Sequence, residues 1–278
     1  MRDRLRTLTH DVKRVAQSPG AFANWPRVLS DMAKERFGGG PSTLSFATRG
    51  GLRIDCPNRP GARVPIYEIF AEDCYRFEWF LGPLLQRPIQ VMDIGGHIGT
   101  FACRLAQLHP TAHINSYEPS PTTAAFLRRN VDQNGFANRV TVTEAAIAST
   151  TGSAELDDNG AGSGLNGLVS AGHGSTATST KVHTIAFDEA IAGIGRPVDV
   201  VKMDCEGGEY DLVYGSAPAG WDSVQRVVLE YHRVPGQTWE QLRDWFAGRG
   251  LNVQAHVGTG DGLGSAWLSR EPLPASTR

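Results

Sequence analysis

Acidic side chains and one histidine are concentrated in two short segments of the C-terminal half of the chain. They are Asp204, Glu206, Glu209, Glu230 and His232. Each segment follows an apolar run typical of a buried strand, and open α/β sheets bind ligands at the carboxyl ends of their strands. Carboxylates crowded at one place are costly unless a cation, a basic partner or a function holds them.

These residue types are suited to removing a proton from a bound substrate. We predict that His232 or Asp204 accepts the proton and that Glu230 orients the histidine or the substrate. His232 is attractive because its ordinary pKa lies near neutrality, where a general base is effective. In an alternative interpretation the acids are structural, with Asp204 contacting a cofactor and Glu206 binding backbone amides of the bend that follows the strand.

A divalent cation is another way to hold these acids together. Mg²⁺ prefers oxygen ligands, and Asp204 and Glu230 could supply them. The chain lacks an obvious metal-loop spacing, so we predict a site without a metal and keep Mg²⁺ as the less favoured alternative. The four cysteines show no metal-type pairing and are expected to be reduced thiols packed as small apolar groups.

The loop from Asp93 to Thr100 reads D-I-G-G-H-I-G-T and forms a second group of chemically suggestive residues. Gly95 and Gly99 allow a tight turn and a close approach of the backbone to a ligand. Glu118 ends the next apolar run, where a carboxylate can accept both ribose hydroxyls of a bound nucleoside. The order of strand, glycine turn, helix, strand and acid therefore predicts a cofactor site.

The glycine spacing indicates which cofactor the loop could bind. A dinucleotide usually requires G-x-G-x-x-G, whose backbone amides face the pyrophosphate, whereas this loop reads G-G-H-I-G. S-adenosylmethionine carries no phosphate and does not need that spacing. The residues that we predict to bind this cofactor are Asp93, Gly95, Gly96, His97, Gly99, Thr100, Glu118, Ala145 and Asp204.

Together these motifs resemble the FkbM family of S-adenosylmethionine-dependent O-methyltransferases over residues 64–232. The motifs are Lys202-x-Asp204-x-Glu206-Gly207-x-Glu209, Asp93-x-Gly95-x-x-x-Gly99, Glu118-Pro119 and Glu68-Ile69-Phe70. The resemblance implies an α/β, Rossmann-like class I methyltransferase fold: a seven-stranded, mostly parallel sheet with one antiparallel strand and helices on both faces. It also implies methylation of a hydroxyl on a sugar, a polyketide or another secondary metabolite.

The elements that must position these residues divide the chain into two predicted regions. Residues 1–85 are expected to form an extension of helices and short strands, which could act as a substrate cap or in dimerisation. Residues 86–278 are expected to form the cofactor-binding domain, with all elements after Glu118 in one sheet. Residues 157–180 are rich in Gly, Ser, Thr and Ala, and this indicates either a disordered insertion or a lid.

An apolar stripe near the N-terminus indicates an amphipathic helix. The stripe consists of Leu5, Leu8, Val12 and Val15, with basic residues around it. Because it is narrow and has no aromatic anchor, we expect it to pack on its own domain or on a second subunit of a homodimer rather than on a membrane.

Composition narrows the choice of function. The net charge of −2 over 278 residues disfavours strong non-specific binding to nucleic acid. No apolar run approaches the ~18 residues of a membrane span and no signal-peptide pattern is present, so we expect a cytoplasmic enzyme acting on a small hydroxylated acceptor. The alternatives are an NAD-dependent oxidoreductase on a similar sheet and a non-catalytic cofactor-binding scaffold.

Overall fold

A computed structural model describes residues 2–158, 162, 167–168, 178–260 and 262–275. Its helices are α1 (Arg2–Ala21), α2 (Trp25–Glu35), α3 (Pro60–Phe70), α4 (Phe77–Leu81), α5 (Thr100–Leu108), α6 (Pro121–Gln133), α7 (Phe187–Ile194), α8 (Glu209–Gly215) and α9 (Trp239–Ala247), with short 3₁₀ helices at Gly82–Gln86 and Pro218–Trp221. Its strands are β1 (Thr43–Ala47), β2 (Arg53–Pro57), β3 (Gln90–Ile94), β4 (His113–Tyr117), β5 (Val140–Thr143), β6 (Ala146–Ala148), β7 (Gly152–Asp158), β8 (Gly167–Leu168), β9 (Thr178–Ala186), β10 (Val200–Met203), β11 (Arg226–Tyr231), β12 (Asn252–Gly258) and β13 (Gly264–Ser269).

A seven-stranded sheet in the order β12-β13-β11-β10-β3-β4-β5 forms the centre of the protein. Strands β5, β4, β3, β10 and β11 are parallel, whereas β13 is antiparallel to both of its neighbours, β11 and β12. The chain order runs from β3 outward through β4 and β5, then returns to β10 on the other side of β3. This reversal places a topological switch point at the carboxyl ends of β3 and β10, where α/β sheets bind ligands.

Helices cover both faces of this sheet. Neighbouring residues of β3, Val91 and Met92, point to opposite faces and belong to two different hydrophobic cores. Helices α3, α5 and α6 contribute to the core around Val91, and α7, α8 and α9 contribute to the core around Met92. All residues of β3 and β10 are buried, as expected for strands covered on both sides.

The expectation of one sheet after Glu118 is wrong, because β6, β7, β8 and β9 form a separate four-stranded sheet. In β9, buried Val182 and Thr184 alternate with exposed Lys181 and His183. Such a strand has one face for a core and one for solvent, so it does not fit the doubly covered centre of a parallel sheet. Most of the predicted loop or lid at 157–180 lies outside the described residues.

Aromatic rings pack together inside the N-terminal region, and a buried asparagine joins this region to the sheet domain. Phe22 and Phe46 have ring centroids 4.9 Å apart, and both rings meet Tyr67 of α3 edge to face. Asn130 of α6 accepts a hydrogen bond from the Asp55 amide and donates one to its carbonyl oxygen, which fixes β2 against α6. Buried residues of both regions share one core, while the boundary at residue 85 stays a prediction.

Val12 and Val15, the two residues of the apolar stripe of α1 whose side chains the structure describes, do not pack on the described part of this chain as expected. Val12 is 68% exposed and Val15 is 53% exposed. The alternative, packing on a second subunit, stays a prediction. Among the described residues, none of the helices combines the length and the apolar composition that a membrane span requires.

Replacing Phe46 should show how strongly the aromatic contacts stabilise the protein. Phe46 is fully buried, so Phe46→Ala should lower the free energy of unfolding by about 3–5 kcal/mol through lost burial and a new cavity. Phe37→Ala is the matched control, because Phe37 is 90% exposed and should change it by less than about 0.5 kcal/mol. Urea unfolding measures both variants, and equal effects would contradict this account of the core.

Candidate active site

A cavity of about 1020 Å³ opens at the carboxyl ends of β3, β4, β10 and β11. The glycine loop and Glu118 form one side of it, and Asp204, Glu206 and Glu230 form another. Residues of α3 and of the segment after it, including Glu68 and Tyr75, complete the wall. The two groups of residues that the sequence singled out therefore share one cavity.

The glycine loop lies directly against the end of β10. At Gly95, where φ is +75°, an added Cβ would lie 1.8 Å from the carbonyl oxygen of Asp204. At Gly96 it would lie 2.2 Å from the hydroxyl of Ser116. The amides of Gly95 and Gly96 both donate to the carbonyl oxygen of Tyr117, at 3.0 and 2.8 Å. These two glycines are therefore required by packing, whether or not a ligand is bound.

Lys202, a residue of β10, binds this loop through its side chain. Its Nζ lies 3.3 Å from Oδ1 of Asp93 and donates hydrogen bonds to the carbonyl oxygens of Ile94 and Gly95. Burial opposes the charge of Lys202, but the carboxylates of Asp93 and Asp204 outweigh it and raise its pKa. A lysine inside the apolar run V-V-K-M is a sequence signal for a buried ion pair, and Lys202 is the basic partner of the carboxylates of Asp93 and Asp204.

Asp93 serves this ion pair and is not among the residues that line the cavity. It is fully buried and also accepts a hydrogen bond of 2.7 Å from Ser116 Oγ. Gly99 likewise does not line the cavity; it lies at the start of α5 with φ at +84°. Thr100, the first residue of α5, does line it.

Glu118 is held rigidly at the end of β4. Its Oε2 accepts a hydrogen bond from the His97 amide and its Oε1 accepts one from the Ser120 amide, both at 2.9 Å. Burial raises the pKa of Glu118 to about 7, although these two hydrogen bonds favour the carboxylate. A carboxylate has about four acceptor sites, so it can still accept ribose hydroxyls from the cavity.

His97 and the small residues after β5 form the remaining wall on this side. His97 has a left-handed backbone with φ at 49°, and burial lowers the pKa of its ring to about 4, so the imidazole is neutral. Ala145 is fully buried and is not among the lining residues, whereas its neighbours Ala146 and Ile147 are. The cavity therefore meets Ala146, the first residue of β6, rather than the predicted Ala145.

A buried carboxylate, Glu209, organises the acidic side of the cavity. It accepts hydrogen bonds from the amides of Cys205, at 2.9 Å, and Gly207, at 3.1 Å. Glu209 therefore has the role that the alternative interpretation gave to Glu206, which lines the cavity with its Oε2 3.3 Å from Nε2 of His232. Because Glu209 begins α8, its side chain folds back over the bend that precedes the helix.

His232 lies among three carboxylates. Its Nδ1 is 3.0 Å from Glu209 Oε1, and its Nε2 is 3.3 Å from Glu206 Oε2 and 3.9 Å from Glu230 Oε1. Burial opposes the charge, but the hydrogen bond to Glu209 and the charges of Glu206 and Asp204 outweigh it and raise the pKa of His232 to about 9.

These contacts bear on two predictions about the histidine. Its neighbours raise its pKa above the ordinary value near neutrality that made it attractive as a general base. Glu209 is the carboxylate within hydrogen-bond distance of its ring, so of the two roles predicted for Glu230 the orientation of the substrate stays a prediction. His232 is also not among the residues that line the cavity, whereas Asp204 and Glu230 are.

Three acids that line the cavity near Asp204 hold protons more tightly than free carboxyl groups. Burial, followed by the charge of Asp204, raises the pKa of Glu206 to about 8 and that of Glu230 to about 7. The same two causes raise the pKa of Glu68, the first residue of the Glu68-Ile69-Phe70 motif. Asp204 thus lies at the centre of a group of acids that three separate segments of the chain bring together.

The strand order with one reversed strand, the helices on both faces and the cavity at the switch point define a class I methyltransferase fold. Residues 93–252, more than half of the chain, match the family described as the Methyltransferase FkbM domain. The chain therefore belongs to the FkbM family and is an S-adenosylmethionine-dependent methyltransferase, which confirms the resemblance. This assignment disfavours an NAD-dependent oxidoreductase and a scaffold without activity.

Two curated relatives and one solved structure illustrate the similarity. The chain is 26% identical over 220 residues to the 31-O-demethyl-FK506 methyltransferase FkbM of Streptomyces tacrolimicus, covering 68% of this chain and 81% of that protein. It is 29% identical over 147 residues to the 2-O-methyltransferase NoeI of Sinorhizobium fredii, covering 48% and 59%. A SAM-dependent methyltransferase from Agrobacterium tumefaciens has a TM-score of 0.49 at 10% identity, covering 84% and 72%.

Replacing Gly95 tests the contact between the loop and β10. Gly95→Ala should lower the free energy of unfolding by more than about 1 kcal/mol, because its Cβ overlaps the Asp204 carbonyl at a left-handed φ. Gly193→Ala in α7 is the control: no atom lies within 4 Å of its added Cβ, so it should be neutral or stabilising by up to about 1 kcal/mol. Urea unfolding measures both, and an unchanged Gly95→Ala protein would contradict the close packing.

Proposed function

We propose that this protein transfers the methyl group of S-adenosylmethionine to a hydroxyl oxygen of a small molecule. The observation that carries the proposal is the single cavity that joins the Glu118 side to the carboxylates of Asp204 and Glu230. Methyl transfer to oxygen requires a donor site and a proton acceptor in one space. The names of both relatives, a 31-O-demethyl-FK506 methyltransferase and a 2-O-methyltransferase, support oxygen as the acceptor atom.

We assign the donor to the side of the cavity that Glu118 and the glycine loop form. S-adenosylmethionine supplies a methyl group already activated by its sulfonium. The residues that would contact it are Gly95, Gly96, His97, Thr100, Glu118, Ala146 and Ile147. Glu118 would accept the ribose hydroxyls, and the neutral ring of His97 would add no repulsion toward the positive sulfonium. Asp93, through Lys202, and Gly99 would act by shaping the loop.

We assign proton removal to Glu230. It lines the cavity at the end of β11, and the nearest basic atom to it among the described residues is His232 Nε2 at 3.9 Å, so its carboxylate is free to contact a substrate. Asp204 would position the acceptor hydroxyl beside it. His232, held by Glu206 and Glu209, would fix the position of the bend between β10 and α8 rather than accept the proton.

We propose that the N-terminal region is an acceptor cap. Glu68, Ile69 and Tyr75 belong to this region and line the cavity. The aromatic rings of Tyr75, Phe101 and Trp267 give this wall an apolar part beside its acids, as a partly apolar, polyhydroxylated substrate would require.

Product analysis tests the proposed acceptor atom. The protein should transfer label from methyl-labelled S-adenosylmethionine to a pool of sugars, polyketides and other polyols, and mass spectrometry should locate the label on oxygen. The label should survive alkaline hydrolysis, because a methyl ether is stable where a methyl ester is not. A product labelled on nitrogen, on carbon or as an ester would contradict the proposal.

The role of Glu118 predicts how donor affinity changes with pH. Its pKa of about 7 means that the carboxyl group takes up a proton as the pH falls through 7 and loses acceptor capacity. Affinity for S-adenosylmethionine should therefore fall by about tenfold from pH 8 to pH 6. Glu118→Gln should bind S-adenosylmethionine weakly at every pH. Any pH dependence that remains in this variant comes from the amino group of S-adenosylmethionine and is subtracted from the wild-type profile.

Calorimetry between pH 6 and pH 8 measures this effect. Glu144→Gln is the matched control, because Glu144 is an exposed acid that follows the neighbouring strand β5 and pairs with Arg128, and it should keep the wild-type profile. A profile of Glu118→Gln that parallels the wild type would contradict the assignment.

Replacing Glu230 separates proton removal from donor binding. Glu230→Gln keeps the size of the side chain and removes its basicity, so kcat should fall by about 10²–10⁴-fold while the Kd for S-adenosylmethionine stays unchanged. Glu240→Gln, which neutralises an exposed acid in the first turn of α9, should keep the wild-type kcat. Initial rates with an acceptor from the product screen measure both, and wild-type turnover by Glu230→Gln would remove this assignment.

A further inference from the structure

Three side chains at the acidic end of the cavity have an arrangement suited to a divalent cation. Asp204, Glu206 and His232 each offer one ligand-type atom, and these atoms lie within 4.8 Å of one another. We propose that these three residues bind a divalent first-row metal ion. The group differs from the Asp204 and Glu230 pair that the sequence suggested, because His232 and Glu206 face each other across the bend.

The orientation of His232 is the strongest support for this site. A histidine that binds a metal with one ring nitrogen nearly always donates the other N–H to a carboxylate, a carbonyl or water. Nδ1 of His232 is 3.0 Å from Oε1 of Glu209, a fully buried carboxylate that the amides of Cys205 and Gly207 already hold in place. With Nδ1 bonded to Glu209, Nε2 is the nitrogen that faces Glu206, and a bound cation would replace the proton on it.

An unsatisfied atom of Asp204 is an independent observation. Its Oδ1 is buried and has no hydrogen-bond partner among the described residues. A buried carboxylate oxygen without a donor is costly, and the great majority of buried polar atoms avoid this state. Asp204 directly follows β10, and its amide donates a hydrogen bond of 3.1 Å to the Ile94 carbonyl oxygen. This bond fixes the residue at the carboxyl end of the strand, where it lines the cavity.

The backbone of Glu206 is also consistent with a binding role. Its φ of 51° places a residue other than glycine in the left-handed region. Such a conformation is energetically costly and persists where the surrounding structure holds it, often at functional sites. Here it turns the carboxylate toward His232 instead of into solvent.

The ligand types indicate which ion fits. Mg²⁺ prefers oxygen ligands and retains several waters, whereas an imidazole nitrogen suits first-row transition ions. One nitrogen and two carboxylates therefore favour Mn²⁺ or Zn²⁺ over Mg²⁺. A bound cation would lower the pKa of a nearby hydroxyl; this role, unlike the binding itself, rests on the proposed function.

Titration of the full-length, untagged and chelator-treated protein with Mn²⁺ tests the site. The loss of the electron paramagnetic resonance signal of free Mn²⁺ should show one bound ion per chain. Asp204→Asn and His232→Gln should each bind at least about tenfold more weakly, and Glu209→Gln about 10–100-fold more weakly. Asp211→Asn is the matched control: Asp211 is an exposed acid on the same cavity, bonded to Ser149, and should bind Mn²⁺ like the wild type.

Several results would overturn the proposal. These are no binding by the wild-type protein, unchanged binding by both ligand variants, or an equal loss in Asp211→Asn, which would indicate non-specific attraction to acids. Thermal unfolding of each metal-free variant establishes that it is folded, and Mn²⁺ should raise the midpoint of the wild type but not of Asp204→Asn. Calorimetry with S-adenosylmethionine on the same samples is independent of Mn²⁺ binding, so a failure of the donor site is distinguishable from a failure of the metal site.

Discussion

The contact between the glycine loop and the end of β10 is the constraint on which the rest of the site depends. Gly95 approaches the carbonyl of Asp204 so closely that no side chain fits between them, and Lys202 of β10 binds the Gly95 carbonyl oxygen and pairs with Asp93. Removing one partner of this buried ion pair would leave an uncompensated charge, which usually costs several kcal/mol. This contact brings the donor side and the acidic side of the cavity together, so fold stability and site geometry share the same atoms.

The bend after β10 brings several reactive side chains together because one buried acid, Glu209, holds the bend in place. Glu209 binds two backbone amides and the ring of His232, and this leaves Glu206 and Asp204 to face the cavity. Burial of the acids, followed by their mutual repulsion, is the energetic cost of this arrangement, and both causes raise the pKa values of Glu206 and Glu230. Proteins keep such costly groups where substrate or a cation uses them.

Much of the fold and part of the site were predictable from local patterns. Buried strands, the glycine turn and the strand-end acids Glu118 and Asp204 were found because each depends on neighbours in the sequence and on the general rule for α/β sheets. The separate sheet of β6–β9 was missed because strand pairing joins residues distant in the chain. The exposure of Val12 and Val15 was missed because an apolar stripe indicates a packing face without identifying what packs on it.

By itself, the sequence determined the class of fold, the family and which acids follow the carboxyl ends of the strands, since these depend on periodicity, glycine spacing and residue order. Only the tertiary structure decided what each acid does. Glu209 rather than Glu206 binds the amides, Ala146 rather than Ala145 meets the cavity, and His232 becomes an imidazolium with a pKa of about 9. The physical reason is that burial, hydrogen bonding and charge act through space, between residues that no spacing along the chain brings into contact.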